Sequence, residues 1–134
     1  NHGDIIIEKS GGSPTQPVGR VVFFEAEGTF LCNNFTAVFR PKQFKVYPKY
    51  LHYILFASHQ FGFTSKFQNK TTGIINLKLN NYLKNLQIPL PPIEEQKRIA
   101  AILDAADQHR QKTKALLDKY DVLALSNKVI GGIC

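Results

Sequence analysis

Residues 88–107 read IPLPPIEEQKRIAAILDAAD, and this stretch divides the chain into two parts of different kinds. Pro91 and Pro92 fix an extended approach, and Pro92 suits the first position of a helix because its missing N–H would lack a partner there in any case. Glu94 and Glu95 set negative charge at the positive end of the helix dipole. Glu94 stands four residues ahead of Arg98, the favourable order for a pair on one helix face. Neither Gly nor Pro recurs until Gly131. The stretch predicts one uninterrupted helix over 94–128, a rod of roughly 50 Å at about 1.5 Å per residue.

Counted in heptads, the seam of this helix is Ile99, Ile102, Ala106, His109, Thr113, Leu116, Tyr120 and Leu123, with Leu103, Leu117 and Ala124 widening it on one side. Such a rod is longer than the preceding body can cover, so part of its stripe is expected to meet another helix. Each Ile or Leu buried there would contribute on the order of 1.5–3 kcal/mol. A helix packed wholly on its own domain is the plainer alternative. His109 and Thr113 interrupt the seam, and polar seam residues fix register at some cost in stability. In an antiparallel pair of identical helices the midpoint near Gln111 lies on the two-fold axis, with His109 and Thr113 close to it.

Upstream the pattern is that of short strands and helices. Residues 4–8, 18–25, 29–32 and 36–40 are apolar and β-branched enough to predict strands; 9–14 (KSGGSP) reads as a turn or loop, as does Asn33-Asn34. Helical spacing of Leu51, Ile54, Leu55 and Ser58, with Pro48 ahead and Gly62 behind, predicts a helix over 50–60. Residues 63–72 read as a polar loop dotted with aromatics, 74–77 as a short strand, 79–83 as one helical turn and 86–89 as a closing strand. Tyr47, Tyr50, Tyr53, Phe56 and Phe61 are expected in the core. The resulting fold class is α+β, with a body over 1–91, a long helix over 92–128 and a tail over 129–134.

With 134 residues, 43% of them hydrophobic, the chain has enough apolar surface for one domain core. It has no apolar run long enough for a membrane span and no signal segment, so a cytoplasmic location is expected. Cys32 and Cys134 lie far apart without a C-x-x-C, which indicates neither a disulfide framework nor a zinc site; Cys32 reads as a buried thiol. The chain has no methionine and strand-like residues begin at Asp4, which predicts a fragment or a processed piece.

The distribution of charge says more than the net +7. From Gly28 to Ile93, 66 residues, there is no Asp or Glu, while Arg40, Lys42, Lys45, Lys49, Lys66, Lys70, Lys78 and Lys84 fall within the gap. At an acidic frequency of roughly one in eight such a gap arises by chance less than about once in a thousand. A body of this kind attracts polyanions and gains affinity by releasing their counterions. Enzyme chemistry is hard to build from it. There is no carboxylate in the gap to hold Mg²⁺ or to pair with His52 or His59, which stand seven apart with no third ligand. Gly11-Gly12-Ser13 is not a phosphate loop, and no G-x-G-x-x-G follows a strand. The residues read as a binder without a catalytic centre.

Residues 88–107 closely resemble the signature that ends each target recognition domain in the DNA-specificity subunit of type I restriction–modification enzymes, I-P-L-P-P-x-x-E-Q-x-x-I-A-x-x-L-D. The matching positions are Ile88, Pro89, Leu90, Pro91, Pro92, Glu95, Gln96, Ile99, Ala100, Leu103 and Asp104. Weaker echoes run upstream in family order: Gly3-Asp4-Ile5-Ile6, then Asn34 with Ala37-Val38 and Arg40-Pro41, Tyr50-Leu51, and Thr72-Gly73. The resemblance implies a partial target recognition domain, a twisted and mostly antiparallel sheet with short helices, followed by a long helix that pairs in an antiparallel coiled coil. It implies double-stranded DNA as ligand, a methylation subunit and through it a restriction subunit as partners, and no cofactor in this chain, since S-adenosylmethionine, ATP and Mg would belong to the partner subunits. A complete subunit of the family carries two recognition domains separated by two antiparallel helices. One domain and one helix therefore predict a homodimer that restores the pair. The tail over 125–134 departs from the longer, more regular ending of the family.

Phosphate contacts position a domain on DNA, and base-edge contacts specify the sequence. Ser65, Lys66, Gln68, Asn69, Lys70, Thr71 and Thr72 form the best candidate loop, followed by Asn76 and Lys78; Ser10, Ser13 and Arg20 make a second, weaker patch. The lysines would hold phosphates, and Gln68 and Asn69 would read adenine edges. A protein-interaction or dimerisation module with an incidentally basic body is the alternative of a different class, and a binder of single strands or RNA a third.

Overall fold

The computed structural model describes residues 1–42, 44–71 and 73–131, with side chains described at 1–42, 44–69 and 73–125. Its first strand, β1 (Ile5–Glu8), shows why three consecutive isoleucines suit a sheet interior: Ile5 and Ile7 point inward and are fully buried, whereas Ile6 lies on the other face. β1 is the centre of a three-stranded antiparallel sheet, with β3 (Val21–Phe23) on one side and β4 (Thr36–Phe39) on the other. A second antiparallel sheet has β6 (Ile74–Leu77) between β2 (Ser10–Gly12) and β5 (Gln68–Thr71). The body thus contains two small sheets where one was expected. Lys9 joins them, since its carbonyl accepts the Leu77 N–H at 2.8 Å.

β2 occupies the Ser-Gly-Gly run that reads as a turn. Composition favours a loop there, but pairing with β6, more than 60 residues away, overrides it. The register shifts between Ser10 and Gly12, and Gly11 takes the bulge with φ 104°. Gly19, also at φ 104°, has a second constraint: a Cβ there would stand 2.8 Å from the buried Thr64 side chain.

α1 (Pro48–Gln60) opens with Pro at its first turn and stops where Gly62 turns left-handed at φ 74°. A 3-10 turn (Phe63–Phe67) leads into β5, and α2 (Leu79–Asn85) follows β6. One core holds these elements together. Ile5, Ile7 and Val21 come from the first sheet, Ile75 and Leu77 from the second, Leu55 from α1 and Tyr82 from α2. The Tyr82 hydroxyl donates to Ser58 Oγ at 3.0 Å, and burial raises its pKa.

Four expectations fail. Residues 29–32 and 86–89 are apolar enough for strands but enter no ladder. Leu31 is 98% exposed, and Cys32, expected buried, is exposed with it. Leu86 still packs against the core, and the Pro89 carbonyl accepts the Tyr50 hydroxyl at 3.0 Å, so this segment is held by side chains. Of the five aromatics expected inside, Tyr50 is buried, whereas Phe56 and Phe61 are exposed.

α3 (Ile93–Gly131) runs 39 residues as a single helix. It starts one residue after Pro92, whose carbonyl accepts the first helical N–H bonds, from Glu95 and Gln96, and it continues past the expected end at 128. The chain forms two compact units, 1–100 and 101–134, so the first turns of α3 belong to the body. There Gln96 is buried, and each end of its amide is used. Its Oε1 accepts the Tyr47 N–H at 2.9 Å; its Nε2 donates to the carbonyls of Pro91 at 2.8 Å and Lys45 at 3.3 Å. Ala100, one turn on, is 1% exposed. Among the described residues, no helix is long and apolar enough to cross a membrane.

Candidate nucleic-acid interface

Folding redistributes the charge gap. Three acids from the first 27 residues reach into it or bind beside it. Asp4 takes Arg40 in two hydrogen bonds of 2.7 and 2.8 Å, Glu8 takes Arg20 in two of 2.8 and 3.0 Å, and Glu25 meets Lys49 at 2.9 Å. The Arg40 guanidinium holds the Asp4 carboxyl well below the usual carboxylate range. Arg20 and Arg40 are thereby locally neutralised. Lys42, Lys45, Lys66, Lys78 and Lys84 enter no ion pair among the described residues, and Lys66 and Lys78 flank the second sheet.

That sheet carries half of the candidate residues, and its register sorts them by face. In β6, Ile75 and Leu77 are buried, so Ile74 and Asn76 take the outer face. Asn76 pairs with Ser10 on one side and Asn69 on the other. Residues in register share a face, so Ser10, Asn76 and Asn69 form a row of hydroxyl and amide groups across three strands. Asn69 is exposed, and the Ser10 hydroxyl donates to Asn76 Oδ1 at 2.5 Å. Lys78 is exposed just beyond β6, and its N–H donates to the Phe67 carbonyl. Lys66, in the 3-10 turn beside it, is exposed with its ammonium 5.5 Å from the Phe63 ring centre. Both residues therefore lie beyond the Gln68–Leu77 end of the β5–β6 pair, where Ser65 is exposed too.

Other candidates are placed differently. Gln68 pairs with Leu77, which puts it on the inward side; it is half-buried, and its amide nitrogen is enclosed without a hydrogen-bond partner. Lys70 and Thr71 have a described backbone within β5, opposite Ile75 and Ile74, and Thr72 lies outside the described residues. Arg20 sits beside the first sheet in its pair with Glu8, away from the row. Ser13 closes a tight turn with Gln16. Ser10, read from sequence as part of the weaker patch, is the residue that folding moves into the main one. Nothing local signals that move, because its partner lies 66 positions away. His59 has a structural partner in the Pro17 carbonyl at 3.0 Å. No group of three or more His, Cys, Asp or Glu positioned for a metal occurs among the described residues.

In the second unit the seam is bare. Ile102, Leu103, Leu116, Leu117, Tyr120 and Leu123 are all exposed, as are Ala106, His109 and Thr113. Ile99, before the unit boundary, is half-buried. Val122 and Leu125 are exposed apolar residues off the seam.

A basic α+β body with a polar sheet face, followed by a long helix with an exposed apolar stripe, has the form of a nucleic-acid-binding module. Over residues 1–119 the chain matches the family model of the type I restriction modification DNA specificity domain, and it belongs to that family. It is 34% identical over 108 residues to a protein of Methanocaldococcus jannaschii named as the MjaX specificity subunit of a type I restriction enzyme, covering 78% of this chain and 24% of the relative. It is 31% identical over 102 residues to the type I restriction enzyme specificity subunit S.HindORF215P of Haemophilus influenzae, covering 76% of this chain and 23% of that one. The chain spans about a quarter of the length of these curated relatives. No solved structure gives a significant match.

Proposed function

We propose that this chain recognises DNA sequence as the specificity subunit, or half-subunit, of a type I restriction–modification complex and is not itself catalytic. The family match over residues 1–119 carries this reading. The body contacts one half-site of double-stranded DNA in the cytoplasm. Lys66 and Lys78 hold phosphates while the amide row meets base edges. The helix spaces two recognition domains by pairing with a second copy in antiparallel register and docks the methylation subunit, through which a restriction subunit joins. S-adenosylmethionine, ATP and Mg belong to those partners. The exposed apolar residues Ile102, Leu103, Leu116, Leu117 and Tyr120 support the pairing.

The test is duplex binding by the full chain as salt is varied. Replacing Lys66 and Lys78 with Ala is expected to weaken binding to all sequences and to lower the slope of log affinity against log salt by roughly one for each phosphate no longer held. Unchanged affinity and slope would remove the body from the interface. Sedimentation is expected to give a dimer, and a single species of one chain at high micromolar concentration would count against helix pairing. The exposed stripe also favours a second reading, a pairing module whose body reads no DNA, and a dimer that binds no duplex even at low salt would favour it.

A further inference from the structure

We infer that Asn76 is a base-reading residue for adenine and that Ser10 is the positioning residue that orients its amide; this rests on the DNA-binding reading above. An asparagine amide offers one oxygen with two lone pairs and one nitrogen with two hydrogens. Adenine is read in the major groove when such an amide accepts from N6–H and donates to N7 at once. A freely rotating amide presents this pattern only part of the time. Asn76 is not free to rotate, because the Ser10 hydroxyl donates to its Oδ1. That bond ties Oδ1 to the neighbouring strand through one lone pair and leaves the second lone pair and both N–H donors for a ligand.

The setting suits a base edge. Asn76 lies in the middle strand of its sheet, and the bulge on the β2 side is Gly11, where no heavy atom lies within 4 Å of the place a Cβ would take. No side chain on that bulge shields the amide, and a bulge glycine is a place where a ligand approaches closely. On the β5 side stands the exposed Asn69. Lys78 is two residues along the same strand direction, roughly 7 Å away at strand spacing, and Lys66 is beside it. A phosphate held there would bring the groove edge over the amide row.

The experiment selects duplexes from a randomised pool with the full chain, its Asn76→Ala and Asn76→Ser variants, and Ser10→Ala, with thermal melting of each. The native chain is expected to select a sequence containing an A·T pair that both Asn76 variants read as any base, losing roughly 5- to 150-fold of discrimination at that one position. Ser10→Ala is expected to lose part of the discrimination at the same position, and the salt slope stays unchanged throughout. If the native chain selects no sequence, the DNA-reading proposal fails and this inference fails with it. If it selects a sequence that either Asn76 variant, folded as judged by melting, still reads in full, the inference alone is overturned. A uniform loss of affinity at every position would overturn it too, since that is the signature of a phosphate contact or a purely structural role. Two Asn76 variants guard against one misfolding: Ser keeps a small polar side chain in the strand.

Discussion

The body and the helix beyond Ala100 use the same residue types to opposite ends. Ile5, Ile7 and Leu55 are at most 1% exposed, whereas Ile102, Leu116 and Leu117 are 63%, 53% and 59% exposed. Their side chains are equally costly to hydrate, so the difference lies in what the fold supplies to cover them. In the body, two sheets and two helices close over one core. In the second unit a single helix has no other element of its own unit to cover its stripe. What separates the regions is therefore the cover that each unit supplies for its own apolar residues, and each expected outcome below tests whether the separation is as sharp as it looks.

The largest effect belongs to the core. Ile7→Ala removes a fully buried side chain from the central strand of the first sheet, and it is expected to cost about 2–5 kcal/mol. Thermal or denaturant unfolding of the chain reads this directly. A cost below about 1 kcal/mol would mean that the core relaxes to fill the space, and the contrast with the helix would weaken.

Gln96 sharpens the comparison because it sits where the helix leaves the body. Gln96→Leu keeps the volume but leaves the Tyr47 N–H and the Pro91 and Lys45 carbonyls without their partner. With one to three kcal/mol for a buried polar group left unpaired, the expected loss is about 2–3 kcal/mol, independent of protein concentration. A loss that disappears at high concentration would instead tie Gln96 to helix pairing.

How far the sequence announced these features depends on how local their causes are. α1 and the start of α3 are legible because Pro48, Gly62, the prolines at 91 and 92 and the two following glutamates act within a turn of where they stand. β6 is legible from its apolar run. β2 is not, since Ser-Gly-Gly becomes a strand only when β6 arrives. The run at 29–32 misleads in the other direction, with strand-forming residues whose backbone joins no ladder. The candidate site divides in the same way. Asn69, Asn76 and Lys78 could be picked by type, but the row that joins Asn76 to Ser10 depends on register, and Gln68 is turned inward by the same register. Gln96 sits within a polar Glu-Glu-Gln-Lys-Arg string that reads as solvated, and only the loop carrying Lys45 and Tyr47 reveals its burial.

A smaller, pH-dependent effect tests the charge pairs that tie the chain start to the body. Because Arg40 donates two hydrogen bonds to it, Asp4 has a folded pKa below its unfolded value of roughly 3.9. Its stabilisation is present above the unfolded pKa and is lost as pH falls through the lowered one. Arg40 is 64% exposed, so solvent screens the pair and Asp4→Asn is expected to cost only about 1 kcal/mol near neutral pH. Denaturant unfolding between pH 6 and pH 2 should show the native chain and the variant converging in stability as the pH drops. A gap that stays constant through that range would assign the effect to packing.

The smallest expected effect is the most discriminating. Leu116→Ala with Leu123→Ala removes two leucines that are 53% and 49% exposed in the single chain. At concentrations low enough to keep chains apart, unfolding of the body should move by less than about 0.5 kcal/mol, the range for surface substitutions. At high concentration the same pair of changes should abolish the association that the proposed pairing requires, read as a shift from two chains to one in sedimentation. A large loss at low concentration would mean that these leucines are already covered within one chain. No change at either concentration would leave the stripe without a pairing role, and the contrast between body and helix would then be one of residue placement alone.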